Sequence, residues 1–179
     1  MIFLLHGFNV SDGGTGSIDK LKPYLRGEVC EYDYGWKGLL GVRMANKGLA
    51  EKLARMVSPG DVGIGHSNGC AILHLASHMG AKFRKLVYIN PALDSDAAPG
   101  PHVESLDVWH SPSDAPVRLA RWLPWHTWGD MGAKGYTGPD ERVKNFDKQS
   151  AFALSSSGHS DVFDDLKIRY FGPLICGRV

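Results

Sequence analysis

The sequence has few cysteines, almost no net charge and no long hydrophobic run. Its 179 residues include three cysteines, 20 lysines and arginines, and 19 aspartates and glutamates, for a formal net charge of +1. So small a charge provides no basic surface for a polynucleotide, which argues against nucleic-acid binding. Cys30, Cys70 and Cys176 are widely spaced and form no C-x-x-C pair. We therefore expect free thiols and a cytoplasmic location rather than a disulfide framework.

The first residues predict neither of two kinds of hydrophobic segment. MIFLLHGFNV has no basic region, and its apolar run is too short for a signal peptide or a membrane span. The apolar fraction of 43% is that of an ordinary globular protein, and the chain contains no repeat, linker or low-complexity segment. A chain of this length is about the size of one domain, so we predict a single domain over residues 1–179.

Short apolar strands alternate with amphipathic helices along the chain. This alternation predicts βαβ units, and therefore an α/β fold with a mainly parallel sheet between two layers of helices, a three-layer αβα sandwich. In such sheets functional groups gather at the carboxyl ends of the strands. The predicted strands are at 1–5, 28–34, 61–65, 84–92, 106–110 and 151–155; the predicted helices are at 18–25, 42–56, 70–80, 116–123 and 160–167; and residues 124–148 are predicted to form a long loop.

A serine between two glycines follows the third predicted strand. Gly65, Ser67 and Gly69 form a G-x-S-x-G match, GHSNG, between the strand at 61–65 and the apolar helix at 70–80. This strand–turn–helix setting is typical of a nucleophile elbow, in which a sharp turn exposes the serine and leaves no room for a Cβ at the glycines. The alternative interpretation is an ordinary tight turn in which the serine caps the helix.

The loop after the first strand begins with His6, Gly7 and Phe8. A lone His-Gly dipeptide is also typical of a plain turn at the end of a strand. Beside a nucleophile elbow, however, this loop normally supplies one backbone amide of an oxyanion hole. Gly7 and Phe8 are the candidates for that amide, and Asn68, directly after the serine, is the candidate for the other.

Two later turns contain an acid and a base. Asp114 lies in SPSDAP after the strand at 106–110, and His159 lies in SGHSD after the predicted strand near 151–155. Each also has an ordinary interpretation, as a proline-bounded turn and as a helix-capping turn. With Ser67 they give the chain order Ser…Asp…His of the α/β-hydrolases, and histidine is the usual general base near neutral pH. The three turns together predict a site for acyl transfer.

The four turns HGF, GHSNG, SPSDAP and SGHSD resemble those of the α/β-hydrolase superfamily, and the chain is similar to its small members without a cap. The resemblance implies that Ser67 is the nucleophile, His159 the general base and Asp114 the acid that orients the imidazole. It also implies an oxyanion hole formed by the backbone amides of Phe8 and Asn68.

The resemblance covers roughly residues 1–123 and 150–167, and the chain differs from the family in two respects. The chain begins at what would be the third strand of the family, and residues 93–103 are too few for an inserted helical cap. We therefore expect a reduced α/β-hydrolase fold that lacks the first strands and a cap domain.

The activity implied by the resemblance is hydrolysis of a carboxylic ester or thioester through an acyl-enzyme, without a metal or an organic cofactor. A small sheet without a cap has few groups to position a poor leaving group, which favours an ester or thioester over an amide. An open site also suits either a small-molecule ester with a short acyl chain or the exposed acyl esters of a large polymer. Two alternatives stay open at this point. In one the chain is a serine acyltransferase, and in the other it is a non-catalytic binding module on the same fold, because fold does not determine function.

Five further histidines are candidates for metal ligands. The set formed by His102, His110 and His126 matches no zinc spacing, and no cysteine or paired carboxylate accompanies it. His74 and His78 are four residues apart on one predicted helix, but the glutamate of an H-E-x-x-H motif is missing. We therefore predict no metal site and interpret the helical pair as packing residues.

Two acids compete with Asp114 for the role beside the histidine. Asp161 lies two residues after His159 and is interpreted as a cap of the last helix, and Asp33 is predicted to lie on the surface.

Three tryptophans are candidates for a substrate pocket. Trp36, Trp125 and Trp128 are interpreted first as core or loop-packing residues, because each ring buries a large area. The more specific hypothesis is that they line an apolar acyl pocket over Ser67.

Overall fold

The computed structural model describes residues 1–7, 12–35, 39–114, 129–148 and 158–179. The strands in these residues are β1 (Ile2–Leu5), β2 (Val29–Glu31), β3 (Val62–His66), β4 (Lys85–Ile89), β5 (Ser105–His110) and β6 (Val143–Asp147). The α-helices are α1 (Leu39–Met56), α2 (Asn68–His78), α3 (Met131–Lys134) and α4 (Asp165–Cys176), and Ile18–Tyr24 and Asp161–Phe163 are 3₁₀ helices.

The described strands form one parallel sheet in the order β2-β1-β3-β4-β5-β6. Phe3 of β1 is the register partner of Gly63 in β3, which in turn pairs with Leu86 in β4. Because all pairs are parallel, the carboxyl ends of the strands lie along the same edge of the sheet. The turns that follow β1, β3, β4 and β5 are therefore brought to one side of the molecule.

Strand alternation divides the core into two layers. In β1, Phe3 and Leu5 face the layer that contains α1 and α2, whereas Ile2 and Leu4 face the layer that contains the first 3₁₀ helix and α4. The β1 residues are buried on both faces, as in a central parallel strand. The predicted three-layer sandwich with a parallel sheet is confirmed.

The prediction of a long loop over residues 124–148 was wrong at two places in its described part, residues 129–148. Met131–Lys134 is a short helix, and Val143–Asp147 is strand β6, which pairs with β5 from Leu106 to His110. The sequence VKNFD contains only two apolar residues, because β6 has a single neighbouring strand in the described sheet and its side chains are half-buried or exposed. It therefore lacks the apolar run by which the central strands were found.

The last helix is longer and begins later than predicted. A 3₁₀ turn at Asp161–Phe163 precedes α4, and α4 continues through Pro173 to Cys176. Ile168, Phe171 and Ile175 are spaced three and four residues apart and are buried against the sheet, which is the stripe expected of an amphipathic helix. The segment beyond residue 167 is thus part of one helical layer.

Two predicted elements, the helix at 116–123 and the strand near 151–155, lie outside the described residues. Residues 90–104, which the structure describes throughout, contain no helix, so no cap is inserted there. Across the described ranges, no helix is both long and apolar enough to span a bilayer.

Candidate active site

Ser67 has a left-handed backbone conformation between β3 and α2. Its φ is 53° and its ψ is −116°, in a region that residues with a Cβ rarely adopt. The turn requires glycine at the two neighbouring positions, because other backbone atoms lie too close to leave room for a Cβ. A Cβ at Gly65 would lie 2.8 Å from the amide nitrogen of Cys70, and one at Gly69 would lie 2.7 Å from the carbonyl oxygen of His6. The GHSNG segment therefore forms the sharp strand–turn–helix that its sequence predicted.

The backbone strain at Ser67 should be visible in stability. We expect Ser67→Gly to be more stable than Ser67→Ala by about 1 kcal/mol, because both lose the hydroxyl but only alanine keeps a Cβ at positive φ. Urea denaturation of the two variants measures the difference. The same pair at Ser77, which is buried within α2, is the matched control and should give the opposite order, since glycine destabilises a helix interior. The same order at both positions would contradict strain at Ser67.

The structure brings Ser67, Asp114 and His159 together at the carboxyl edge of the sheet. His159 Nε2 lies 2.8 Å from Ser67 Oγ, and His159 Nδ1 lies 2.9 and 3.0 Å from the two carboxylate oxygens of Asp114. The carboxylate of Asp114 is fully buried. Because an ionised carboxylate can only accept, Nδ1–H donates to it, and Nε2 is left as the acceptor for the serine hydroxyl.

Asn90, which the sequence analysis did not single out, contacts the acid of this site. Its Nδ2 donates to Asp114 Oδ2 at 2.7 Å, and both side chains are fully buried. Asn90 directly follows β4 and has a φ of 46°. Its place at the carboxyl end of a strand is the signal that was available in the sequence, because functional side chains gather at that edge.

His66, the second residue of GHSNG, also contacts the histidine turn. Its Nε2–H donates to the carbonyl oxygen of His159 at 3.0 Å, and its ring is buried against Phe163. Burial and the nearby His159 lower the pKa of His66 to about 3. The ring is therefore neutral at ordinary pH and keeps one tautomer as donor. It connects the turn that carries Ser67 to the turn that carries His159.

Lys148, just after β6, is a second buried contact of the histidine turn. Its Nζ lies 3.4 Å from the carbonyl oxygen of Gly158 and 3.7 Å from Asp161 Oδ1, and its side chain has no exposed area. Asp161 also forms a 2.6 Å ion pair with Lys167. The structure thus places Asp161 among lysines rather than on the imidazole. Its Oδ2 accepts from Lys167 and its Oδ1 has no hydrogen-bond partner among the described residues, so the predicted helix-capping hydrogen bond is not formed.

Comparison with known proteins gives structural matches but no sequence family. No protein-family model matches the chain, and no curated protein is significantly similar to it in sequence. A candidate hydrolase of the alpha/beta superfamily from Xanthomonas campestris matches with a TM-score of 0.53 and 17% identity over 98% of both chains. Mouse alpha/beta hydrolase domain-containing protein 10 matches with a TM-score of 0.58 and 14% identity over 99% of this chain and 88% of its own. The chain has the α/β-hydrolase fold.

A lipase shares the same α/β-hydrolase fold over part of its length. Aspergillus fumigatus lipase B matches with a TM-score of 0.58 and 13% identity, over 90% of this chain and 48% of the lipase. This chain therefore spans about half the length of that protein. The matches confirm the fold that the four turns led us to expect, and the positions of those turns at one sheet edge fit it.

In the α/β-hydrolase fold, the loop after one of the central strands approaches the nucleophile elbow and supplies an oxyanion amide. Here that approach is made by Gly7, where a Cβ would lie 3.0 Å from His66 Nδ1 and 3.2 Å from Ser67 Cβ. Phe8, whose amide is the predicted second donor, lies outside the described residues. Asn68, whose amide is the predicted first donor, opens α2 and is fully buried.

The predicted pocket tryptophans Trp36, Trp125 and Trp128 lie outside the described residues, so the pocket over Ser67 stays a hypothesis. His126 of the histidine set that was considered as a metal site lies outside them as well. Within the ranges that the structure does describe, no group of three His, Cys, Asp or Glu side chains could hold a metal ion. Asp33 is exposed, as predicted, with its carboxylate 3.1 Å from His6 Nε2.

Proposed function

We propose that this chain is a serine hydrolase that cleaves a carboxylic ester or thioester through an acyl-enzyme on Ser67. The observation that carries the proposal is the alignment of three side chains from three separate segments of the chain. Ser67 Oγ lies 2.8 Å from His159 Nε2, and the opposite ring nitrogen lies 2.9 Å from a buried carboxylate of Asp114. A serine, an imidazole and an acid in this order are the parts that nucleophilic acyl transfer requires.

The mechanism follows from the direction of these hydrogen bonds. Ser67 Oγ attacks the substrate carbonyl while its proton moves to His159 Nε2, and the Asp114 carboxylate stabilises the resulting imidazolium. The backbone amides of Phe8 and Asn68 hold the oxyanion of the tetrahedral intermediate. His159 then returns the proton to the leaving alcohol or thiol as the acyl-enzyme forms. Water attacks this acyl-enzyme with His159 as base, which releases the acid and restores the serine.

The proposed substrate is a small-molecule or polymer-borne acyl ester. Residues 90–104 contain no helical cap, which supports an open site rather than an enclosed one. None of these steps needs a metal or an organic cofactor. The three cysteines are free thiols, which supports the cytoplasmic location that we propose for the reaction.

Covalent labelling with a fluorophosphonate tests the proposal. We expect one adduct, found by intact mass and mapped to Ser67, and no adduct in Ser67→Ala or His159→Ala. Ser160→Ala is the matched control, because Ser160 is exposed beside His159 and has no proposed role. This variant should be labelled like the wild type. Hydrolysis of p-nitrophenyl butyrate should be lost in Ser67→Ala and His159→Ala and kept in Ser160→Ala.

Each other result selects a different interpretation. A folded wild type that acquires no adduct would refute the hydrolase and favour a binding module on this fold. Labelling of Ser67 together with preferential transfer of the acyl group to an added alcohol would identify an acyltransferase. Hydrolysis that persists in Ser67→Ala would place the reaction at another nucleophile.

A further inference from the structure

A buried polar network connects the loop after β1 with the start of α2. The hydroxyl of Tyr34 donates toward the carbonyl oxygens of His6 and Gly7, at 2.8 and 2.9 Å. The same hydroxyl oxygen accepts from Asn68 Nδ2 at 3.4 Å. Tyr34, His6 and Asn68 are all buried. One hydroxyl group therefore contacts both segments that carry the proposed oxyanion donors.

Further contacts hold each end of this network. The rings of His6 and Tyr34 are stacked, with centroids 4.1 Å apart and an interplanar angle of 18°. The side-chain amides of Asn68 and Asn46 form a reciprocal pair, at 2.8 and 3.1 Å. Burial raises the pKa of the Tyr34 hydroxyl far above its usual range, so the group remains a donor across the working pH range. The network thus has a fixed direction of hydrogen bonding.

Peptide geometry relates the Tyr34 contact to the oxyanion. The carbonyl of Gly7 belongs to the same peptide unit as the N–H group of residue 8. In a planar trans peptide the C=O and N–H bonds point in opposite directions, so a hydrogen bond that fixes the oxygen also fixes the direction of the N–H. An oxyanion donor must be aimed before the charge develops, because that is what makes its electrostatic stabilisation effective.

We propose that Tyr34 is a positioning residue that orients the two backbone donors of the oxyanion hole, by holding the Gly7 carbonyl and the Asn68 side chain. The proposal rests on the serine hydrolase function proposed above. It adds a role for a side chain that follows β2 and that does not itself contact the proposed reacting atoms Ser67 Oγ, His159 or Asp114.

Tyr34→Phe tests this proposal, and Tyr32→Phe is its matched control. Both tyrosines have 7% of their surface exposed, and each hydroxyl donates to backbone carbonyl oxygen. The hydroxyl of Tyr32, however, donates to Leu49 in α1 at 2.9 Å, away from the loop after β1. Tyr32→Phe therefore removes one partly buried hydrogen bond outside the network, whereas Tyr34→Phe removes the hydroxyl that makes three buried contacts within it.

The measurement is hydrolysis of p-nitrophenyl butyrate per active site, with sites counted by fluorophosphonate titration. For Tyr34→Phe we expect kcat to fall about tenfold with KM unchanged, less than the ~10²–10³ lost when an oxyanion donor is removed outright. Binding of a trifluoromethyl ketone, whose adduct on serine carries an oxyanion, should weaken by a similar factor. Tyr32→Phe should leave both quantities at their wild-type values.

Three results would overturn the proposal, and they can be distinguished. If the wild type is labelled but Tyr34→Phe matches Tyr32→Phe in kcat and in inhibitor affinity, Tyr34 does not position the donors. If the wild type is neither labelled nor active, the hydrolase function fails and the role of Tyr34 falls with it. Should Tyr34→Phe not fold, Asn46→Ala removes the partner of the Asn68 side chain, and a normal kcat there would also overturn the network.

Discussion

Asp114→Asn is expected to lower kcat/KM about 10⁴-fold while the protein remains folded, which is the size of effect found when the acid of a Ser-His-Asp triad is made neutral. The Asp114 carboxylate accepts from His159 Nδ1 at 2.9 and 3.0 Å and from Asn90 Nδ2 at 2.7 Å. An asparagine has a single acceptor oxygen, and the Asn90 amide favours that oxygen on its own side. The new NH₂ group then takes the place of Oδ1, 3.0 Å from Nδ1, and as a donor it favours the tautomer with its proton on Nε2. That tautomer cannot accept the proton of Ser67.

Hydrolysis of p-nitrophenyl butyrate measures this loss, and urea denaturation checks that the variant is folded. Asp161→Asn is the matched control, because Asp161 is the competing acid two residues after His159. Its carboxylate is paired with Lys167 at 2.6 Å rather than with the imidazole. We expect Asp161→Asn to reduce kcat/KM by less than tenfold, since only the support of the turn is weakened. A larger loss from Asp161→Asn than from Asp114→Asn would reverse the assignment of the acid.

The central part of the fold was predictable because its signals are local. β1, β3, β4 and β5 are buried strands with apolar runs, and glycine or proline follows most of them within a few residues. The alternation with helices then determined a parallel sheet and placed the turns at one edge. Ser67, Asp114 and His159 could be named for the same reason, because each lies in a short turn with a recognisable composition. Their roles in catalysis remain predictions.

The elements that were missed lack such local signals. β6 is recognisable mainly by its register with β5, where Val108 pairs with Asn145 and Trp109 with Phe146. A polar strand at the side of the described sheet has no apolar run, so only its partner reveals it. The last helix was predicted to end at residue 167, whereas it continues through Pro173 to Cys176.

The supporting residues of the site were missed for a different reason. Three of these residues contact segments that are 24 to 93 residues away in sequence, namely Asn90, His66 and Tyr34. The fourth, Lys148, contacts a residue that is 10 positions away. No spacing rule connects such pairs before the chain is folded. Sequence patterns locate the proposed reacting groups, whereas the side chains that we expect to orient them are found from three-dimensional contacts.

The buried ammonium of Lys148 should make stability depend on pH. Burial lowers the pKa of Lys148 from 10.5 to about 8; Asp161 and Asp114 raise it in part, and Lys167 lowers it further. The unfolded chain therefore binds this proton more tightly than the folded protein does. It follows that the contribution of Lys148 to the free energy of unfolding rises as the pH increases from about 8 to 10.5. Below pH 8 the lysine is charged in the folded protein, and there its burial is most destabilising.

Lys148→Met tests this dependence, because methionine fills a similar volume without a charge. With the two pKa values above, the wild type should gain about 2 kcal/mol relative to Lys148→Met between pH 7 and pH 9.5. Urea denaturation of both proteins at the two pH values measures this difference directly. The comparison also cancels the effects of tyrosines and cysteines that titrate at alkaline pH in both proteins.

Lys20→Met is the control for deleting a lysine, since Lys20 lies near the surface in an ion pair with Asp165. It should retain the pH dependence of the wild type. Parallel stability profiles for the wild type and Lys148→Met would show that Lys148 does not carry the dependence. At pH 7 the methionine variant should also lose activity, because the Nζ contact to the Gly158 carbonyl, one residue before His159, is removed. A buried lysine that costs stability and supports the histidine turn is the expected compromise between folding and function at such a site.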